Sequence, residues 1–387
     1  MVCHNDSWEV LVLDNLEEEF IQKTVGFLQS YLPKGADPNW SPEYFRWKLE
    51  KNPAGKGFLT CAVSEGQVVG VTSITLKNVW YRGSMRKAAE IGDTYTHPAF
   101  LRKDRIKREG NRKPENGRNA KGDYFEKSIF GRLVKETRER ALKSGIQIIY
   151  GTPNENSRPG YEKRLNFKVH PFSNIRTFIR PTAKGISAKY GFPGLYNLML
   201  FAERIVEATC FLYWSMISKV YGYIFEKVDN SSDEFDNLWD QLKHQYQFSL
   251  VHNKEYFQYR FFDHPLGTYN VYKVTWKDRL CGVIVLRIYN DLKGRKCCLL
   301  ADWIYDESAP KLFSVMLAHA IHVNWQEDVF YFSAWSGQEK GQVGALLRQG
   351  FFSKRSCPVI FFQNDEGIEI VQDCSQLNIT LASTDNV

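Results

Sequence analysis

The feature that most constrains the fold of this chain is an internal duplication. The run Tyr44–Lys48, ahead of an Asn-Pro pair, matches the run Tyr256–Arg260, ahead of a His-Pro pair, and the two lie 212 residues apart. The same spacing places Gly70 over Gly282, each in a valine-containing apolar stretch. A repeat of this length indicates that one structural module occurs twice along the chain.

The later parts of the two copies match at shorter spacings. Arg86–Asp93 corresponds to Arg295–Asp302 at a spacing of 209 residues, and Leu165–Phe167 corresponds to Gln349–Phe351 at a spacing of 184. The first copy is therefore longer, and its excess falls in the basic stretch from Arg102 to Lys143. This pattern indicates one insertion into a shared fold rather than two different folds.

The hydrophobic pattern gives both copies the same order of elements. For the first copy we predict a helix at 42–51, strands at 57–64, 68–76 and 88–96, a helix at 124–144, a strand at 146–150 and a short helix at 159–165. Hairpins followed by a β-α-β crossover predict an α/β fold with a mixed, mostly antiparallel sheet flanked by helices. The predicted domains are residues 1–180 and 231–387, and residues 181–230 form a linker with a long apolar helix.

The net charge of +7 is concentrated in one place. Between Arg102 and Lys143, fifteen Lys and Arg stand against seven Asp and Glu, so the rest of the chain is close to neutral. Such a stretch suggests a phosphate-bearing ligand or nucleic acid, or alternatively a solvated loop followed by a charged helix face.

The eight cysteines form no CxxC pair, and His319 and His322 have no acidic or cysteine neighbour in sequence, so no metal is predicted.

The apolar segments bear on location. The first 18 residues are acidic and helical in character, unlike a secretory signal. The most apolar stretch, residues 192–225, is interrupted by Glu203, Arg204, Glu207 and Lys219, so we predict no membrane span and a cytoplasmic location. We expect its helix to pack between the domains. A role at a membrane surface is the alternative, although the polar face is poor in Lys and Arg.

Two runs of the first copy point to a family. Ile91–Phe100 ends the third predicted strand, and Ile148–Asn156 follows a charged loop and a long amphipathic helix. In this order, they resemble the GNAT superfamily of N-acyltransferases. The resemblance covers residues 8–170, and the second copy extends it to about residue 363.

The resemblance implies acyl-CoA as co-substrate. The pantetheine would pair with the end of the strand that closes on Thr96, and the pyrophosphate would lie on the loop before the long helix, where free N–H groups bind anions. The residues implied to bind the cofactor are Tyr95, Thr96, Arg118, Lys121, Gly122, Asp123, Asn154, Asn156 and Ser157. The loop departs from the family pattern of Gln/Arg-x-x-Gly-x-Gly/Ala, because Arg118 stands one residue too far from Gly122 and residues 103–117 are inserted.

Amide formation from a thioester needs a neutral amine, a donor for the oxyanion and a proton for the leaving thiolate. Asp93 and His97 are the candidate bases, and a strand period of two places both on one face. Asp302 holds the matching place in the second copy, so Asp93 is alternatively structural, and His97 is alternatively a neighbour of the cofactor. Tyr161 resembles the family tyrosine that protonates the CoA thiolate, with buried packing as its alternative.

The second copy lacks the anion-binding loop, so we predict that it does not bind CoA and forms the acceptor side. The predicted acceptor-binding residues are Tyr44, Arg46, Arg260, His264, Trp303 and Trp335. The tandem arrangement resembles bacterial N-acyltransferases that act on nucleotide-linked amino sugars, such as dTDP-linked ones. The alternative acceptor is a peptide or another small amine. A nucleic-acid binder is disfavoured because the basic residues cluster where a phosphate cofactor is expected, and a homodimer is left open.

Overall fold

The computed structural model describes residues 8–30, 40–100, 128–267, 269–291, 293–326, 328–337, 340–363 and 377–384. The chain forms two compact units. The first unit comprises 1–78, 87–170 and 359–370, and the second comprises 79–86, 171–358 and 371–387. The predicted α/β fold with two tandem copies is confirmed, because strands and helices follow one another in the same order in both units.

The first unit follows the predicted order of helix, hairpin and β-α-β crossover. Its elements are β1 (Glu9–Leu13), α1 (Glu18–Gln29), α2 (Pro42–Glu50), β2 (Phe58–Ser64), β3 (Gln67–Tyr81), β4 (Ser84–Thr96), α3 (Ile129–Lys143), β5 (Ile148–Gly151) and α4 (Arg158–Arg164). The sheet runs β1-β2-β3-β4-β5. β1, β2 and β3 pair antiparallel, whereas β4 and β5 pair parallel.

The second unit repeats this order. Its elements are β6 (Lys168–Pro181), α5 (Ala183–Tyr190), α6 (Tyr196–Tyr221), β7 (Tyr223–Val228), α7 (Asp233–Leu242), β8 (Phe248–Leu250), α8 (Lys254–Phe257, continued by a π-helical turn over Gln258–Phe262), β9 (Tyr269–Trp276), β10 (Arg279–Asn290), β11 (Lys296–Tyr305), α9 (Leu312–Asn324), β12 (Tyr331–Ser336), α10 (Lys340–Arg348), β13 (Phe352–Gln363) and β14 (Leu377–Asn378). The sheet runs β6-β12-β11-β10-β9-β7, with β11 and β12 parallel.

The two units differ from the predicted domain boundaries at several strands, and residues 79–86, at the tip of the β3–β4 hairpin, belong to the second unit. Residues 171–181 of β6 belong to the second unit, where β6 pairs with β12, and residues 359–363 of β13 belong to the first, where they pair with β5. β7 falls within the predicted linker but pairs with β9. The alternation of apolar and polar residues along a strand shows which of its faces is buried, but it does not show which strand lies beside it. The sequence therefore could not predict these pairings.

The matched glycines of the two copies serve the same packing purpose. A Cβ atom at Gly70 would lie 2.6 Å from Cγ2 of Ile129 on α3, and one at Gly282 would lie 2.7 Å from Sδ of Met316 on α9. In each unit, the crossover helix therefore contacts the second strand of a hairpin, β2–β3 or β9–β10, at a position that has no room for a side chain. The duplication seen in the sequence is therefore also present in the packing of the structure.

The capped ends and the buried apolar face of α3 explain why this segment forms a helix. The Ser128 side chain caps its first turn by accepting a hydrogen bond from the Gly131 amide at 3.1 Å. The predicted apolar face is confirmed, since Ile129, Leu133 and Val134 are buried. Gly145 follows the helix with φ of +78°, the left-handed conformation that ends many helices.

Candidate active site

Strands β4 and β5 separate part-way along the first sheet. Their parallel pairing covers Ala88–Glu90 and Ile148–Tyr150, whereas β4 continues to Thr96. On its other side, β4 remains bonded to β3, since the His97 amide donates to the Val69 carbonyl at 2.8 Å. Over the described part of the sheet, the end of β4 therefore has backbone groups on the β5 side that the β4–β5 ladder does not use.

Asp93 stands where β4 leaves β5, and its backbone is left-handed, with φ of +47°. A residue other than glycine adopts this conformation only when its surroundings hold it there. The turn also breaks the alternation of side chains along β4. The prediction that Asp93 and His97 share a face depended on an uninterrupted period of two, so that argument does not carry across this strand.

The Asp93 carboxylate is engaged by two donors. The ammonium group of Lys48, from α2, bonds to Oδ2, and the Ser73 hydroxyl on β3 donates to the same oxygen at 2.7 Å. The Lys48 side chain is only 1% exposed and lies 4.7 Å from the centre of the Phe45 ring. Sequence reasoning missed Lys48, although the second copy has Arg260 at the same place in the repeat.

Asp302, the counterpart of Asp93 in the repeat, links a strand to a helix in the second unit in a similar way. It accepts hydrogen bonds from the Tyr256 hydroxyl at 2.7 Å and the Thr380 hydroxyl at 2.7 Å, and it pairs with Nε2 of His252 at 3.1 Å. Burial opposes ionisation of this carboxylate, but His252 and the two hydroxyl donors hold its pKa below the ordinary value. In both units, the aspartate thus ties the strand to the aromatic helix that precedes the sheet. This parallel favours a structural role for Asp93.

Tyr161 reaches the same end of β4 from α4. Its hydroxyl lies 2.9 Å from the Thr94 hydroxyl, which lies 2.8 Å from that of Thr72. Burial raises the pKa of Tyr161 to about 12, against the opposing effect of the hydrogen bond from Thr94. The phenol is therefore protonated at neutral pH, as a proton donor must be, although the raised pKa makes it a weaker acid than an ordinary tyrosine. Its ring also packs edge-on against Phe130 and Phe167, so part of its role is structural.

The three residues that end β4 differ in accessibility. Tyr95 is 36% exposed and meets the Trp40 ring edge-on at 5.2 Å. Oγ1 of Thr96 is buried, and no hydrogen-bond partner for it occurs within the described ranges. His97 is exposed, and its Nδ1 accepts from the Ala99 amide at 3.2 Å. Thr96 therefore holds a buried polar atom whose hydrogen-bonding capacity the described residues leave unused.

The remaining cofactor residues fall into two groups. Oδ1 of Asn154 accepts from the amides of Asn156 and Ser157, each at 3.0 Å, which closes the turn before α4. This turn leaves Asn156 exposed and Ser157 half-buried. The predicted phosphate-binding residues Arg118, Lys121, Gly122 and Asp123 lie outside the described residues.

Most of the predicted acceptor residues lie in the cores of their units. Those that are buried are Tyr44, Arg260, His264 and Trp303. Arg46 pairs with Glu18, and Trp335 is half-buried. Burial gives the first four no surface for a ligand in this conformation, because aromatic residues in each copy pack its helix against its sheet. Their assignment to the acceptor stays a prediction that the geometry does not support.

The two histidines that raised the question of a metal pack against aromatic rings. His322 stacks on Phe211 with ring centres 3.7 Å apart, and His319 stacks on Phe225 at 4.1 Å. Within the described ranges, no group of three or more His, Cys, Asp and Glu side chains is arranged to hold a metal ion.

Across those same residues, no helix has both the length and the apolar character that a membrane span needs.

Comparisons with known proteins identify the fold. No protein-family model and no curated protein sequence matches the chain. The N-myristoyltransferase of Saccharomyces cerevisiae, solved with bound myristoyl-CoA, matches 92% of this chain and 79% of its own, with a TM-score of 0.57 and 16% identity. A tandem GNAT protein from the clavulanic acid biosynthesis pathway matches 92% of this chain and 98% of its own (TM-score 0.56, 11% identity). A GCN5-related N-acetyltransferase from Anabaena variabilis matches 91% and 72% (TM-score 0.55, 13% identity). At such low identity the likeness is one of fold, and this chain has the tandem GNAT fold.

Proposed function

We propose that the chain is a CoA-dependent N-acyltransferase whose first unit binds acyl-CoA. The observation that carries the proposal is the separation of β4 from β5 after Glu90, together with the left-handed turn at Asp93. A strand end with backbone groups outside the ladder can hydrogen-bond the amides of a pantetheine arm as an added strand would. The unpartnered Oγ1 of Thr96 adds a polar contact at the same place. Among proteins of this fold, the yeast N-myristoyltransferase was solved with myristoyl-CoA.

The proposed reaction is direct transfer. The acceptor nitrogen attacks the thioester carbonyl carbon, a C–N bond forms and the C–S bond breaks. The CoA sulfur leaves as a thiolate and takes a proton from Tyr161, whose hydroxyl is positioned by Thr94. The amine gives up a proton to His97, to the Oδ1 oxygen of Asp93 or to water. Because Oδ2 of Asp93 already accepts from Lys48 and Ser73, we place His97 ahead of Asp93 as base.

For the acceptor we propose the amine of a nucleotide-linked amino sugar, with a peptide or another small amine as the alternative. The proposal rests on the tandem arrangement and on the aromatic content of the second copy. Trp303 lies in the core, so Trp335, half-buried on β12, is the aromatic side chain left to contact a base or sugar ring. The acyl chain is open from acetyl to long-chain.

Release of free thiol tests the proposal. The full chain is incubated with acetyl-CoA, a hydroxyacyl-CoA or myristoyl-CoA and, in turn, with dTDP- and UDP-linked amino sugars, peptides with a free N-terminus and simple amines. Thiol release that depends on an amine supports acyl transfer, and the responding amine identifies the acceptor class. Calorimetric binding of acetyl-CoA without binding of any amino sugar would reject the sugar and leave acyl transfer standing. No binding and no thiol release with any acyl-CoA would reject the function itself.

A further inference from the structure

Helix α6 presents an apolar face to solvent along its whole length. Among its exposed large apolar side chains, six that are each at least 51% exposed lie along one side of the helix: Leu198, Phe201, Ile205, Leu212, Met216 and Val220. They follow one another at helical spacing, so they form a single stripe on a helix of 26 residues, about 39 Å long. We call these six residues the α6 stripe. An exposed apolar surface this long is unusual for a protein that meets only water.

The opposite face of α6 is fixed to the second unit by polar contacts. Glu207 is buried and pairs with Arg180 of β6. Glu203 accepts from the Trp325 indole at 3.1 Å and from the Ala183 amide at 2.7 Å. Rotating the helix to bury the α6 stripe would break these contacts and leave charges without partners. The outward orientation of the stripe is therefore a property of the fold.

The exposed charged residues of α6 have one sign. Both acidic residues of the helix, Glu203 and Glu207, are on the packed face, whereas Arg204 and Lys219 are exposed. Lys189 lies just ahead of the helix, on α5, and is exposed as well. In a symmetric contact between two copies, the exposed basic side chains of one α6 would face those of the other. A surface that carries negative charge satisfies both the stripe and its basic flanks.

Aromatic side chains stand at both ends of the stripe. Tyr190 and Phe192 precede α6 and are 56% and 50% exposed, and Tyr213 and Tyr221 lie in its second half, 57% and 37% exposed. Rings that are apolar on the body and, in tyrosine, polar at the tip partition to the boundary between lipid headgroups and acyl chains. An apolar helix face with basic and aromatic flanks is the pattern of helices that lie in a membrane surface.

We propose that α6 binds a membrane surface that contains anionic lipid, with the α6 stripe inserted among the acyl chains at the level of the headgroups. The helix lies flat on the bilayer in this arrangement. The second unit would thereby carry the enzyme to membrane-associated molecules. The proposal is independent of the acyl-transfer chemistry.

Vesicle flotation of the full chain tests this proposal. The variant Leu198→Gln/Leu212→Gln/Met216→Gln removes half of the stripe with a residue that favours helix. The matched control is Leu347→Gln on α10, because Leu347 is 52% exposed and lies outside the stripe. We expect the wild type and the control to float with phosphatidylcholine vesicles that contain phosphatidylglycerol. The triple variant should bind about tenfold less, with circular dichroism and melting temperature unchanged.

A second pair of variants separates charge from apolar contact. Arg204→Gln/Lys219→Gln should weaken binding to vesicles with phosphatidylglycerol and leave weak binding to pure phosphatidylcholine unchanged, and raised salt should act in the same way. Three results would overturn the proposal: no flotation of the wild type, equal flotation of the triple variant, or a lipid-free dimer in the ultracentrifuge that the triple variant abolishes. The last result would assign the stripe to a second copy of the chain.

Discussion

The hydroxyl oxygens of Thr94 and Tyr161 lie 2.9 Å apart, although the two residues are 67 positions apart in the chain. The contact joins the end of β4 to α4 at the place where β4 leaves β5. Because burial raises the pKa of the Tyr161 phenol to about 12, the phenol keeps its proton at neutral pH. An alkyl thiolate is a weaker base than a phenolate of this pKa, so it can take the proton only from a phenol held directly beside the sulfur, and the contact with Thr94 orients this hydroxyl.

Tyr161→Phe tests this assignment. If Tyr161 protonates the leaving thiolate, kcat for thiol release should fall by about 10²-fold while KM for acyl-CoA changes little. Thr94→Val should give a smaller loss, because the phenol remains but its orientation is no longer fixed. The control is Tyr223→Phe, which removes a buried hydroxyl from the second unit, where it donates to the Pro310 carbonyl. A loss below about threefold for Tyr161→Phe would leave the tyrosine with its packing role alone.

The pairing of Lys48 with Asp93 predicts a loss of stability when either is neutralised. Asp93→Asn leaves the buried Lys48 ammonium without its counter-charge, so the free energy of unfolding should fall by about 3 kcal/mol. The double variant Lys48→Met/Asp93→Asn should recover at least half of that loss, because it removes both charges. Urea unfolding of the wild type and of these two variants measures the differences.

His97→Asn separates the structural role from catalysis. His97 is exposed, so this change should leave unfolding unaffected and lower kcat by about 10²-fold if His97 is the base. An Asp93→Asn protein as stable as the wild type but 10²-fold slower would instead identify Asp93 as the base. Losses of kcat of tenfold or less in both variants would mean that water removes the proton.

The order of elements could be predicted because it is written in local patterns that occur twice. The contacts of the site could not. Asp93 is not a glycine, so nothing in the sequence marks its left-handed φ, and the alternation argument failed at that residue. The links from Lys48 to Asp93 and from Tyr256 to Asp302 join distant positions, and only the repeated spacing hinted at them.

The sequence also could not show which of the aromatic side chains are buried. Aromatic residues suit both a ligand surface and a core, and Tyr44 and Trp303 turned out to be buried in their units. The strand pairings of β6 and β13 depend on partners far along the chain. By contrast, Gly70 and Gly282 could be matched from sequence alone, because the reason for glycine is the same in both copies.

The two glycines should respond differently to the same substitution. At Gly70, an added methyl group meets the branched side chains of Ile129 and Leu133, 2.6 and 3.0 Å away, so α3 must shift and stability should fall by about 2 kcal/mol. At Gly282, the group met is the flexible thioether of Met316, which can adopt another rotamer. Gly282→Ala should therefore cost less than about 1 kcal/mol in the same urea experiment. Equal losses would mean that the helix position, rather than the neighbouring side chain, sets the cost.

The last prediction concerns pH. Burial, with a smaller contribution from the neighbouring His322, lowers the pKa of His319 from 6.5 to about 4. The unfolded chain therefore takes up this proton first as pH falls through 6.5, and the contribution of neutral His319 to stability is lost progressively between pH 6.5 and 4. His319→Phe keeps an aromatic ring against Phe225 but cannot titrate. The decrease in free energy of unfolding between pH 7 and pH 5 should be smaller in the variant by about 1–2 kcal/mol. Urea titrations at both pH values measure it, and an equal decrease in the two proteins would show that His319 is protonated without loss of its packing against Phe225.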